Sequence, residues 1–140
     1  MILKALIVDD EPLARRLIEG YCSHLPEIEV VGSVVDVFMA RPILEIGKVD
    51  LLFLDINMPV MDGFEATAHI RSLPNKKHAS IPIIGLSASA LSEYKKRGEQ
   101  CGMNDYLTKP FTPLQLKEIL LTTVKKITPN TPSTTFTDED

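Results

Sequence analysis

Val49-Asp50-Leu51-Leu52-Phe53-Leu54-Asp55-Ile56-Asn57-Met58-Pro59 is the stretch that decides the fold. Apolar, strand-favouring residues carry one carboxylate, Asp55, to the end of a strand, and Pro59 prevents the strand from continuing. Other runs end the same way. Leu3-Lys4-Ala5-Leu6-Ile7-Val8 delivers Asp9 and Asp10, Ile81-Pro82-Ile83-Ile84-Gly85-Leu86 delivers Ser87, and Met103-Asn104-Asp105-Tyr106-Leu107-Thr108 delivers Lys109, followed by Pro110. In a parallel sheet all carboxyl ends lie on one edge, where open α/β folds place their ligand sites. Three acids, a hydroxyl and an ammonium on that edge describe a cation-assisted phosphoryl site.

Helical patterns separate these strands. Asp10-Glu11-Pro12 offers an acid for the N-cap and a Pro near the first helical position, and Leu13, Leu17, Ile18, Tyr21 and Leu25 recur at helical spacing. Ile28–Val34 reads as a second strand, followed by a short helix over about 37–46. Gly63 opens a third helix, with Phe64, Thr67, Ala68 and Arg71 on one face, ending at Pro74-Asn75; residues 76–80 read as a polar loop. A fourth helix over 91–100 carries few apolar residues and contains Gly98, at a cost of about 1 kcal/mol relative to Ala. Its thin apolar face predicts a helix that can shift. Thr112-Pro113-Leu114-Gln115 has the capping-box form, and Leu116, Ile119, Leu120, Val124 and Ile127 supply the buried stripe of the last helix. Five β-then-α units predict one parallel sheet, wrapped on both faces by five helices through right-handed crossovers.

The domain spans 1–127. From Thr128 the chain is Thr/Pro-rich, ends in Asp138-Glu139-Asp140 and has few hydrophobes, so 128–140 reads as a disordered tail or linker. At 140 residues and 44% hydrophobic the chain has mass for one core. A net charge of −4 argues against direct nucleic-acid binding. No apolar run approaches the roughly 20 residues needed to cross a bilayer, and a strand that starts this early leaves no room for a signal peptide. Cys22 and Cys101 have no ligand spacing and read as reduced thiols of a cytoplasmic protein. His24, His69 and His78 read as surface residues.

Asp9, Asp10 and Asp55 held together repel one another, and at least one pKa rises unless a cation sits among them. Few hard oxygen ligands, completed by water and phosphate, suit Mg²⁺. Taken singly, Asp9-Asp10 could be a turn with an N-cap, Asp55 a turn acid, Ser87 a helix cap and Lys109 a solvated lysine. Their joint placement on one edge is what favours a carboxylate attacking phosphorus to give an acyl phosphate, with Ser87 and Lys109 binding the phosphoryl oxygens.

The series Val8-Asp9-Asp10-Glu11-Pro12, Leu54-Asp55-Ile56-Asn57-Met58-Pro59-Val60-Met61-Asp62-Gly63, Leu86-Ser87-Ala88 and Asp105-Tyr106-Leu107-Thr108-Lys109-Pro110 closely resembles the receiver domains of two-component response regulators. The resemblance covers essentially 1–127. It implies a flavodoxin-like, doubly wound sheet of strand order 2-1-3-4-5. It also implies that Asp55 accepts a phosphoryl group from a histidine kinase or a histidine phosphotransfer protein, that Asp10 contacts Mg²⁺ directly, Asp9 through water and Asn57 through its carbonyl, and that Ser87, Lys109 and the Ala88 amide bind phosphoryl oxygens. Asn57 would lie beside the phosphoryl group as well as the cation. Tyr106 matches the switch aromatic, turning inward as Ser87 moves, and Lys109-Pro110 is expected to be cis. The fourth helix, last strand and last helix would pass the signal on, making the chain a phosphorylation-controlled switch in a phosphorelay, not a metabolic enzyme.

Val35-Asp36-Val37-Phe38-Met39 stands where many receivers have an Asn-Gly or Asp-Gly turn, leaving Phe38 and Met39 exposed. The first half looks like receivers that precede LytTR-type DNA-binding domains, the second like hybrid-kinase receivers; a stand-alone relay is equally compatible. A second function class is a phosphorylation-independent interaction module on the same fold, although such chains usually lose an acid or the lysine. A third is a Mg²⁺-dependent aspartyl phosphatase of the haloacid dehalogenase type. That type wants Asp-x-Asp-x-Thr, and here Asn57 and Pro59 follow Asp55.

Overall fold

The computed structural model describes residues 2–59, 61–89 and 91–127, without the side chains of Val124, Lys126 and Ile127. The expected tail or linker over 128–140, and the Val124 and Ile127 part of the expected stripe, lie outside the described residues.

Strands β1 (Leu3–Val8), β2 (Ile28–Val34), β3 (Leu51–Asp55), β4 (Ile83–Ser87) and β5 (Asp105–Thr108) form one sheet in the order 2-1-3-4-5. All four pairings are parallel. Buried side chains alternate between the two faces, as strand geometry requires. On β3, Leu52 and Leu54 join the core beneath α2 (Val37–Ile46), α3 (Gly63–Arg71) and α5 (Ser92–Cys101). Leu51 and Phe53 join the core beneath α1 (Pro12–Cys22) and α6 (Pro113–Ile127).

Among the described residues there are six helices, not five: Lys76–Ala79, expected as loop, forms a single turn, α4. The Asn75 side chain makes that turn, accepting a hydrogen bond from the Lys77 N–H at 2.9 Å. On α1, Ile18 and Cys22 are buried, Tyr21 half-buried, and Leu13 and Leu17 exposed; Leu25, expected to continue the stripe, is half-buried beyond the helix, which ends at Cys22. The apolar spacing of α1 therefore overstates its buried stripe, because its first two turns border an open groove. On α3 the buried face is Phe64, Ala66, Thr67 and Ile70; Ala68 points outward. Phe38 and Met39 are exposed, as expected, and Asp36 caps α2 by accepting from the Met39 N–H at 2.9 Å. The capping box of α6 forms in both directions, Gln115 N–H to Thr112 Oγ1 at 3.1 Å and Thr112 N–H to Gln115 Oε1 at 2.9 Å.

Helix α5 has the thin apolar face its sequence predicts, with Gly98 its one buried residue. The glycine has a packing reason. A Cβ on Gly98 would lie 3.0 Å from Met103 Sδ, and a Cβ on Gly85 of β4 would lie 2.5 Å from the same sulfur. Two glycines thus open a slot for one thioether, which seats α5 on the sheet.

Candidate functional site

Register builds the site. Val8 pairs with Leu54, so Asp9 and Asp55, each one residue further on, reach the same level on neighbouring strands. Asp55 pairs with Leu86, placing Ser87 just beyond it, and Ser87 pairs with Thr108, placing Lys109 beyond that. Behind Asp55 the chain turns tightly into α3. The Gly63 N–H donates to the Ile56 carbonyl at 2.9 Å, and a Cβ on Gly63 would stand 2.7 Å from the Asp55 carbonyl oxygen. Only glycine admits that approach.

Asp9 and Asp55 are buried and Asp10 half-buried, and one oxygen of each lies within 4.8 Å of the others. Among the described residues one cation, Lys109, pairs with two of these aspartates. Lys109 Nζ lies 2.8 Å from Asp9 Oδ2, 3.3 Å from Glu11 Oε1 and 3.4 Å from Asp55 Oδ1. The Asp55 carboxyl is pushed up to about 7, first by burial and then by the charge of Asp9; Lys109 and the Asn57 N–H at 3.2 Å only partly oppose them. Burial alone would lower the Lys109 pKa, but the Asp9 hydrogen bond and the charges of Asp55 and Asp9 outweigh it and hold it above the ordinary lysine value. Among the described residues, Asp10 Oδ1 is buried without a hydrogen-bond partner. A buried, unpaired carboxylate oxygen beside two more carboxylates is the donor set a hard divalent cation completes.

The remaining expected residues lie around this cluster. Ser87 is buried, its Oγ accepting from the Ser89 N–H at 3.0 Å and standing 3.5 Å from Asn57 Oδ1. Asn57 and Ala88 are exposed at the mouth. The half-buried Tyr106 donates its hydroxyl hydrogen bond to the Ser89 carbonyl. The Lys109-Pro110 peptide is cis. Seven of the eight expected residues thus gather at the carboxyl edge, while Tyr106, paired with Gly85 in mid-sheet, reaches toward it through its hydroxyl.

Two contributors were not anticipated. Glu11 is the N-cap residue of α1, yet its side chain makes no capping bond and pairs with Lys109 instead. Arg15 Nη1 donates to the Asp9 carbonyl at 2.7 Å, fixing the β1–α1 turn. The DEP sequence signals a helix start, and nothing in it signals a bond to a lysine 98 positions away. The thiols take no part: burial pushes Cys22 up to about 11 and raises Cys101 as well.

Comparison with known proteins agrees with this geometry. A family model described as the response regulator receiver domain matches residues 5–121. The chain is 34% identical over 123 residues, 87% of its length, to the sensor histidine kinase RcsC of Salmonella typhi, and spans 12% of that kinase. The receiver domain of the sensor histidine kinase PA1611 of Pseudomonas aeruginosa PAO1, solved with a magnesium ion in its active-site cleft, is similar at TM-score 0.75 and 35% identity, covering 89% of this chain and 98% of that one. The chemotaxis response regulator CheY4 of Vibrio cholerae is similar at TM-score 0.77 and 28% identity, over 88% and 99%.

Proposed function

We infer the role of each site residue from one premise: the chain belongs to the response regulator receiver domain family. Asp55 is the phosphoacceptor. A phosphohistidine on a histidine kinase or a histidine phosphotransfer protein supplies the group. An Asp55 carboxylate oxygen attacks phosphorus, the new O–P bond forms, and the P–N bond to the donor imidazole breaks. Its electron pair stays on that nitrogen, which takes up a proton.

Asp9, Asp10, Asp55 and the Asn57 carbonyl would hold Mg²⁺, which when bound supplies positive charge against the transferring oxygens. Lys109 leaves its carboxylate partners for a phosphoryl oxygen. The Ser87 hydroxyl and the Ala88 N–H donate to the others, with Asn57 beside them.

A hydrogen-bonded chain links the site to the face formed by α5, β5 and α6. Ser87 Oγ accepts from the Ser89 N–H, and the Ser89 carbonyl accepts from Tyr106. Drawing Ser87 toward a phosphoryl group breaks the first bond and loosens the second. Tyr106 then turns inward, and α5, held by few apolar contacts, shifts with it. The chain is a signalling switch that catalyses only its own phosphorylation and dephosphorylation. Its two free thiols, the buried Cys22 and the half-buried Cys101, fit a reducing, cytoplasmic setting.

The observation that carries this reading is Asp55 itself: a buried carboxylate with its pKa pushed up to about 7, beside an unpaired Asp10 oxygen and within reach of one lysine. Incubation with Mg²⁺ and a phosphohistidine or acetyl phosphate donor should give one hydroxylamine-sensitive phosphoryl group per chain. Asp55→Asn should give none while folding normally. Full labelling of that variant would contradict the assignment.

A further inference from the structure

Glu11 stands out once the phosphoacceptor site is set aside. It occupies the N-cap of α1 with extended backbone, where an acidic side chain ordinarily accepts from the helix N–H groups. It accepts none. Its backbone N–H is held by Asp9 Oδ1 at 2.9 Å, which turns the side chain's root toward the site, and Oε1 sits 3.3 Å from Lys109 Nζ. The Glu11 side chain is 67% exposed, whereas that of Lys109 is 17% exposed and those of Asp9 and Asp55 are nearly fully buried. Glu11 is therefore the outermost of the three carboxylates on that ammonium. It also lines an apolar groove of about 320 Å³ with Leu13, Leu17, Ala88, Pro110 and Phe111, which runs from the lysine along α1.

From this placement we propose that Glu11 is a specificity-determining residue, one that biases the site against small, free, doubly negative phosphodonors. The inference rests on the reading of Asp55 as phosphoacceptor. A free acyl phosphate must bring its dianion past Glu11 and draw Lys109 away from it. Both steps oppose the donor: Lys109 gives it a contact only at the expense of the Glu11 pair, and Glu11 itself gives it none. A donor carried on a protein has other surface to bind through, including the groove beside Glu11, so the same penalty is a smaller part of its affinity. Glu11 touches no reacting atom; it acts through Lys109 and through its own charge at the entrance. An exposed carboxylate without a capping bond can lose its charge with little effect on the fold.

The test measures phosphorylation of Glu11→Gln and the unaltered chain, with Mg²⁺ present, by acetyl phosphate (a dianion) and by phosphoramidate (net charge −1 near neutrality). The proposal expects Glu11→Gln to raise the apparent second-order rate with acetyl phosphate about threefold to tenfold, on the scale of an exposed charge interaction. The gain with phosphoramidate should be clearly smaller, and the difference should shrink as salt is raised, because screening removes it. Glu11→Asp, which keeps the charge, should retain the discrimination. A purely structural role would move both donors together and would not respond to salt. Equal gains, no gain or a slower variant overturns the inference while leaving Asp55 in place. Failure of the unaltered chain to accept a phosphoryl group from either donor would instead bring down the phosphoacceptor reading, and this inference with it.

Discussion

At the amino edge of the sheet, Arg71 meets only acceptors; at the carboxyl edge, two aspartates and Glu11 compete for one lysine while Asp10 stands beside them. The Arg71 guanidinium donates to the Gly102 carbonyl twice (3.0 and 2.7 Å), to the Ala79 and Ile81 carbonyls (2.8 and 2.7 Å) and to Asn104 Oδ1 (2.9 Å). Asn104 Oδ1 also accepts from the Ile83 N–H at 2.8 Å. That network ties the end of α3 to the starts of β4 and β5, and each donor has a partner. At the other edge Asp10 Oδ1 has none, and Asp55 holds its proton to about neutral pH. The same fold thus keeps one edge satisfied and rigid and leaves the other with surplus negative charge. A satisfied edge has nothing to gain from a ligand. An edge with surplus anions gains from any cation, and reorganises when the charge on Asp55 changes.

The comparison can be broken at its rigid end. Arg71→Met keeps the stem but removes five hydrogen bonds, and should cost about 2–4 kcal/mol in denaturant unfolding. A loss below about 0.5 kcal/mol would mean that water replaces the guanidinium and that this edge is no clamp.

At the acidic end the sign should reverse. A folded-state pKa near 7 against an ordinary 3.8 means that the folded chain holds the Asp55 proton more tightly than the unfolded chain does. The stabilisation from that proton is fully present below the unfolded value, declines as pH rises toward 7, and is gone above it. Without divalent cation, Asp55→Asn should therefore be the more stable protein at pH 8, by about 1–2 kcal/mol. The gap should narrow toward pH 4. Thermal melts of both proteins across that range would decide it, and a variant less stable at pH 8 would show that Lys109 already balances the cluster.

The smallest effect belongs to the seat of α5. Gly98→Ala gains about 1 kcal/mol of helix propensity but crowds Met103 Sδ, the flexible end of a side chain that can yield. The net change should stay within about 0.5 kcal/mol. Gly85→Ala, whose Cβ would meet the same sulfur at 2.5 Å, should be the worse of the two. Equal costs would show that the slot does not hold the thioether as described.

How far the sequence discloses each edge follows from the kind of partner used. The carboxyl edge is legible because apolar strands mark where they end, and a parallel register brings those ends together: the sequence alone places Asp9, Asp55, Ser87 and Lys109. The amino edge is not. In the sequence Arg71 is one more residue on a helix face, because most of its acceptors are main-chain carbonyls, which every residue carries and no motif marks. Leu13 and Leu17 have core-like spacing, yet they border a groove, and periodicity does not separate a covered face from an open one. The one-turn α4 is set by a single Asn75 cap, too short a signal for any periodicity.

Addition of Mg²⁺ and beryllofluoride, followed through backbone amide NMR shifts, tests the central claim most directly, because beryllofluoride mimics a phosphoryl group on an aspartate. The account predicts saturable, Mg²⁺-dependent shifts at Asp10, Asp55, Ser87 and Lys109 that extend through Ser89 and Tyr106 into α5, while Arg71 and Asn104 stay still. Shifts that need no Mg²⁺, or that leave Asp55 and Lys109 unmoved, would contradict it.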